Sequence, residues 1–207
     1  MKKFQIFLKL PITTKNSKIM IPFSKNRSYR RFYQSEEIST ENLRSMVDAA
    51  RLSPSSRNIQ PIKFYICNDR EMNDKIFPNL GWAGYLKDWD GPGEGEQPSA
   101  YIVLLHDKNI SQGYSCDHGI FAQSILLRAV ELGFGGCMIA TFKKDVLTPL
   151  LNVPQHLEII MVIALGKPKE VVVVDEVKDG DIKYWRDSFQ VHHVPKRDLD
   201  ELIWRAD

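Results

Sequence analysis

The chain is predicted to be one mixed helix-and-sheet domain, and three stretches carry that prediction. Ala100 to Leu105 reads AYIVLL, a continuous apolar run of the kind found in a strand covered on both faces. From Asp117 to Leu132, apolar residues occupy nearly every direction around a helix, which predicts a buried one. Ser53 to Pro61, SPSSRNIQP, collects turn formers and short polar side chains between a helical and a strand-like segment. The chain has 207 residues, of which 43% are hydrophobic and 26% charged, so it can bury one sizeable core.

Taken in order, residues 1–25 alternate the short apolar pieces FQIFL and IMIPF with the polar TTKNSK, and an arm lying on the domain of residues 26–207 is expected there. Lys9 and Pro11 interrupt the apolar start and no small-residue cleavage site follows, so a reduced, cytoplasmic protein is expected. Asn26 to Phe32, NRSYRRF, places three arginines within five residues. It reads either as a solvated charged face or as an anion site with Ser28 adding a hydroxyl. Ser39 caps a helix whose apolar face is Leu43, Met46, Val47 and Ala50, and Ser53-Pro54 stops it. A strand follows over Lys63 to Cys67, then a short helix capped by Asp69.

Leu80 to Ser99 contains glycines, prolines and two tryptophans, Trp82 and Trp89, and regular structure is not expected between Trp89 and Ser99. It is a candidate lid, or a loop that its tryptophans anchor. Gly133 ends the apolar helix. In the FGGCMIATF that follows, Gly135 and Gly136 permit close approach of a neighbouring backbone or a flat ligand, unless they only cap the helix. A short helix at Lys144 to Leu151 and an apolar strand at Leu157 to Leu165 come next. Val171 to Val174, a weakly alternating Asp187 to Val194, and a terminal helix or strand carrying Leu199 and Leu202 complete the pattern.

Several function classes are disfavoured. Twenty-eight basic residues against 26 acidic ones leave a net charge of +2, too little for a general nucleic-acid or membrane field. Cys67, Cys116 and Cys137 are odd in number and form no C-x-x-C pair. His192 and His193 are adjacent and point to opposite sides of a strand, so no metal site is expected. Neither G-x-G-x-x-G nor a P-loop occurs. The Ser53 to Pro61 stretch is longer than a minimal connection and reads as a ligand-binding loop, or as a turn in which Asn58 bonds its own backbone.

Four elements in order, RSYR, PSSRNIQP, a helix ending in ELGFGGCMIATF, and a basic pair near the C-terminus, resemble the flavin-dependent nitroreductase family from about Asn26 onward. The resemblance implies an α+β fold with a mostly antiparallel central sheet flanked by helices. It also implies an intertwined homodimer holding FMN at the subunit interface. It implies that Arg27, Ser28 and Arg30 grip the flavin phosphate and ribityl chain and place positive charge near the pyrimidine edge. Pro54, Ser55, Ser56, Asn58 and Gln60 would run beside the ring and ribityl chain, Ile139, Ala140 and Thr141 would pass the reactive nitrogen, and Lys196 and Arg197 would close over the phosphate. Asn26 stands where many relatives have a basic residue, and Ile62 where many have tryptophan.

The implied activity is hydride transfer from NADH or NADPH through FMN to an electron-poor acceptor such as a nitroaromatic or quinone, with no side-chain nucleophile and with Trp82 or Trp89 as stacking surfaces. Alternatives are a specialised flavin dehydrogenase or dehalogenase of the same family, or a flavin-binding module without turnover.

Overall fold

The structure, a computed structural model, describes residues 23–204. Most of the expected arm lies outside the described residues. Two-residue β1 (Phe32–Tyr33) leads to α1 (Thr40–Arg51), capped by the Ser39 hydroxyl accepting from the Asn42 N–H as the sequence predicts. β2 (Ile62–Cys67), α2 (Arg70–Ile76) and β3 (Ala100–Asp107) follow, then α3 (Asp117–Glu131), β4 (Gly135–Ile139), α4 (Lys144–Leu150) and β5 (Leu157–Pro168). The last part of the chain forms β6 (Val172–Glu176), β7 (Trp185–Arg186), β8 (His192–Lys196) and the short α5 (Leu199–Leu202).

β5 is the spine. It pairs antiparallel with β3, β4 and β1, and β3 pairs antiparallel with β2, so Ile139, Val162, Val103 and Tyr65 lie in one row across four strands. The chain is thus α+β with an antiparallel central sheet and helices on its faces. A second, three-stranded sheet in the order β6-β8-β7 joins β6 and β8 in parallel.

Every residue of β3 is buried, as its unbroken apolar run predicts, and strand periodicity divides it between two cores. Ile102 and Leu104 face α1 and α3, together with Leu43, Met46, Phe121, Ile125 and Ile163. Tyr101, Val103 and Leu105 face the opposite side with Ile76, Leu147, Val162 and Ile139. Each such buried aliphatic side chain contributes roughly 1.5–3 kcal/mol from apolar surface removed from water.

Helix α3 departs from the sequence expectation. Phe121, Ala122, Ile125, Leu126 and Ala129 are buried, but Ile120, Leu127 and Val130 are only partly covered, because the described chain supplies a neighbour for one face of the helix and not for the other.

The glycine pair is explained by close approach within the chain. A Cβ on Gly136 would stand 2.2 Å from the Ala164 carbonyl oxygen on β5, and one on Gly135 would meet the Tyr29 ring at 2.6 Å. Because the first of those obstacles is backbone, Gly136→Ala should shift β4 and destabilise the fold by about 1–3 kcal/mol, measured by urea unfolding. A variant as stable as the wild type would show that β4 is not held so tightly.

Candidate functional site

The arginine-rich segment is laid along β4. Ser28 forms a parallel bridge with Gly136, and the Tyr29 N–H donates to the Gly136 carbonyl at 3.1 Å. The absence of a side chain at Gly135 leaves room for the Tyr29 ring, and the segment so seated delivers Arg27, Ser28 and Arg30 to the outer side of β4.

Two depressions of about 240 Å³ each meet there and share Arg30 and Tyr184. Asn26, Arg27, Ser28, His192 and Lys196 line one of them. Ile139, Ala140, Thr141, Cys137 and Trp82 line the other. One end is therefore cationic, and the other mixes polar and apolar surface, with the Trp82 and Tyr184 rings in its wall. Arg27 donates from Nη2 to the Phe23 carbonyl at 2.8 Å, while its Nε is buried with no partner among the described residues. Burial pushes the Cys137 thiol up to about 12, so it stays protonated and is not a nucleophile near neutral pH.

Arg30 is fixed from several sides. Its backbone N–H donates to Glu170 Oε2 at 2.8 Å, and its Nη1 lies 3.2 Å from His192 Nε2 and 3.3 Å from the Ser28 carbonyl. The guanidinium stands 5.0 Å from the Tyr184 ring centroid. Glu170, whose side chain has no exposed surface, takes a second donor from Arg186 Nη2 at 2.6 Å. Arg186 in turn lies 4.1 Å over the Trp89 ring. Burial, assisted by the Arg30 charge and opposed by Glu170, lowers the His192 pKa to about 4.

The loop expected to bind ligand lies elsewhere in this chain. Pro54, Ser55, Ser56, Asn58 and Gln60 precede β2, and β2 and β4 are separated by β3 and β5. Three inter-strand steps amount to roughly 14 Å. The loop is held to the N-terminal end of α3 by the buried Asp117, which accepts from the Ser55 hydroxyl at 2.5 Å and the Ser56 N–H at 2.9 Å. Arg57, Asn58 and Gln60 all have positive φ, at 48°, 57° and 55°. Left-handed backbone at non-glycine residues costs of order 1–3 kcal/mol each where it is strained, so the loop keeps this shape only because its surroundings impose it.

Of the other expected site residues, Trp82 lines the depression that holds Ile139 to Thr141, whereas Trp89 lies under Arg186 and against the edge of Trp82. Arg197 pairs with Glu201 and does not line the cleft. The candidate lid is fastened at several points. Gly81 N–H donates to the Thr141 carbonyl at 2.7 Å, and Glu96 binds Arg31 at 2.5 and 2.8 Å and Lys169 at 2.9 Å. Those partners draw the Glu96 carboxyl down to about 2.

Glu170, Arg186, Tyr184, His192 and Asp117 were not among the expected site residues. Only the alternation of His192 with His193 carried a signal, and the structure does send them apart: His192 to Arg30, His193 to Asp175 at 2.7 Å. No group of three or more His, Cys, Asp or Glu able to hold a metal occurs among the described residues, nor any helix long and apolar enough to cross a membrane.

Two predictions follow from this geometry. Replacing Asp117 with Ala should destabilise the fold by about 2 kcal/mol, since the Ser56 N–H and Ser55 hydroxyl lose a charged acceptor. It should also speed hydrogen exchange at the Ser56 amide; unchanged exchange would refute the tether. For His192, the unfolded chain takes up a proton near pH 6.5 whereas the folded one does so only near 4. The unfolded state therefore binds more protons in between, and stability should fall as pH drops from about 6.5 to about 4. His192→Gln should flatten that part of the curve in thermal melts, and identical slopes would contradict it.

Comparison with known proteins agrees with the fold. The Nitroreductase family model matches residues 24–84 and 100–167, more than half of the chain. A protein of Archaeoglobus fulgidus provisionally named NADH dehydrogenase/NAD(P)H nitroreductase is 30% identical over 149 residues, 68% of this chain and 80% of its own length. A Methanothermobacter thermautotrophicus protein with the same provisional name is 30% identical over 163 residues, 76% of this chain and 81% of its own. Among solved structures, an FMN-dependent nitroreductase from Clostridium difficile superposes with a TM-score of 0.57 at 25% identity, covering 70% of this chain and 85% of that one. With the family model matched over more than half of its length and relatives of the same fold, the chain belongs to the nitroreductase family and is an oxidoreductase of it.

Proposed function

We propose that the cleft beside β4 holds FMN and that the protein passes hydride from NADH or NADPH to a flat, electron-poor acceptor such as a nitroaromatic or quinone. The observation that carries this reading is the meeting of Arg27, Ser28, Arg30 and Lys196 with Ile139, Ala140 and Thr141 around one pair of joined depressions. Guanidinium, ammonium and hydroxyl donors suit a phosphate and a ribityl chain. The buried Arg27 Nε, without a partner among the described residues, is the kind of donor that an anionic ligand satisfies. Trp82 and Tyr184 give the other end flat walls suited to a ring system.

Bound FMN would supply the electron-accepting and electron-donating chemistry. The chain's own residues would position it, keep water from one face, and set positive charge where reduced flavin carries negative charge. Arg30 is the residue for that last role. Arg197, turned toward Glu201, would have to change partner to reach a phosphate.

A homodimer belongs to the same proposal. The Pro54 to Gln60 loop lies across the sheet from the cleft, so it would meet flavin only in the cleft of a second copy. The half-covered Ile120, Leu127 and Val130 on α3, and exposed Phe189, Leu202 and Trp204, are apolar surface that such a copy would cover. Residues 26–207 would form the flavin-binding domain, and three unpaired cysteines suit the reducing cytoplasm.

The test is a visible spectrum of the purified protein after incubation with FMN and removal of free flavin, followed by anaerobic NADH and then NADPH. Retained yellow colour that bleaches with one nicotinamide is expected; colourless protein that takes up no FMN overturns the reading. Arg30→Ala should weaken FMN binding about 10- to 100-fold by titration, the size of a charged hydrogen bond or two.

A further inference from the structure

The geometry points to His192 and Glu170 as positioning residues for Arg30, arranged so that its side chain is oriented by an uncharged partner and keeps its full positive charge for the ligand. This rests on the flavin reading of the cleft. A guanidinium is most readily fixed by a carboxylate, yet the nearest buried carboxylate is employed differently. Glu170 Oε2 takes the backbone N–H of Arg30 at 2.8 Å, and Oε1 takes Arg186 at 2.6 Å. The Glu170 charge is thereby met by Arg186, whose side chain is 8% exposed and whose guanidinium lies over Trp89. The guanidinium of Arg30 instead has the imidazole of His192, fully buried, at 3.2 Å.

Hydrogen-bonding capacity decides the state of that imidazole. Arginine has only donors, so His192 Nε2 must accept and the ring proton sits on Nδ1. A proton on Nε2 would oppose N–H to N–H and cation to cation. Tyr184, its ring 5.2 Å from His192 and 5.0 Å from Arg30, adds a further uncharged contact. The small second sheet has a purpose on this account. Register places His192 opposite both Val172 and Arg186, so β6, β7 and β8 together present the acceptor and the countercharge on one side of the cleft.

The consequence is electrostatic. A carboxylate in place of His192 would cancel much of the field that Arg30 directs at an anionic ligand, whereas imidazole orients without cancelling. Removing the acceptor frees the guanidinium to rotate, and the loss falls more heavily on the negatively charged reduced flavin than on the oxidised form.

The experiment compares wild type with His192→Gln, a neutral acceptor of similar reach, and His192→Leu, which has none. In flavin-free protein, modification of Arg30 by phenylglyoxal, followed by mass spectrometry, should be at least fivefold faster in the Leu variant. The Gln variant should stay within twofold of wild type. In protein loaded with FMN, the Leu variant should lose about tenfold of its preference for reduced over oxidised flavin, read as a two-electron midpoint potential about 30 mV more negative. Gln should restore most of it.

Equal Arg30 reactivity and an equal potential in all three proteins would overturn the proposal. Should the Leu variant not fold, His192→Asn takes its place, being too short to reach Arg30, and the same two readouts decide. If no protein binds FMN, the flavin reading has failed, and the phenylglyoxal comparison still decides whether His192 positions Arg30.

Discussion

A carboxylate with no exposed side-chain surface must be answered by donors or it will not remain in a folded protein, and the answers to Glu170 hold this molecule's two sheets together. One oxygen receives the N–H of Arg30, which belongs to the strand-like segment laid on β4; the other receives Arg186 from β7. The backbone N–H groups of Lys169 and Glu170 donate to the Arg31 carbonyl at 3.0 and 3.3 Å, closing the same junction. Breaking one partner of such a buried pair is far more damaging than never having had it, because the remaining charge is stranded. The cleft is therefore built where the fold can least tolerate rearrangement, a suitable place for groups that must be held in a fixed geometry.

The irregular segment between Leu80 and Ser99 gains its order from the same region. Its glycines and prolines forbid a helix or a strand, and the sequence leaves open whether it moves or is anchored. Side-chain chemistry resolves this. Arg31 and Lys169 converge on Glu96, Gln34 accepts from the Gly95 N–H at 2.7 Å, and Trp89 lies beneath Arg186. The segment is a strap fastened at both ends, and only Trp82 among its tryptophans reaches the cleft.

How much could be read beforehand depended on whether a feature is local. The cap at Ser39, the all-buried β3 and the short helix from Asp69 follow from periodicity and capping within a few residues, and each stands as expected. β5 runs on to Pro168, three residues beyond the apolar stretch, because β1 pairs with its far end at Lys167 and Pro168. No local pattern contains that information. The same holds for the site. Arg27, Ser28 and Arg30 form a visible cluster, but the link of Arg30 to Glu170 spans 140 residues and its link to His192 spans 162. A buried glutamate looks no different in sequence from a solvated one. Asp117 likewise resembles an ordinary first-turn acid of a helix, although its carboxylate is spent on the loop and not on the helix end.

Three left-handed residues within Arg57 to Gln60, none of them glycine, are an unfavourable way to connect a helix to a strand when a short turn with one glycine would serve. Part of the cost is offset by Asp117, and part by Gln60, whose N–H donates to the Ser55 hydroxyl and whose side-chain amide donates to the Asn58 carbonyl and carboxamide oxygens. These bonds hold the loop in one shape but leave Asn58 and Gln60 exposed, with nothing of the chain's own cleft within reach. A shape maintained against backbone preference, on the edge of the sheet away from the cleft, has no use within its own chain's cleft. On the proposed reading its use lies in the cleft of a second copy, and the strain is the preorganisation that lets the loop meet a ligand without being ordered by it.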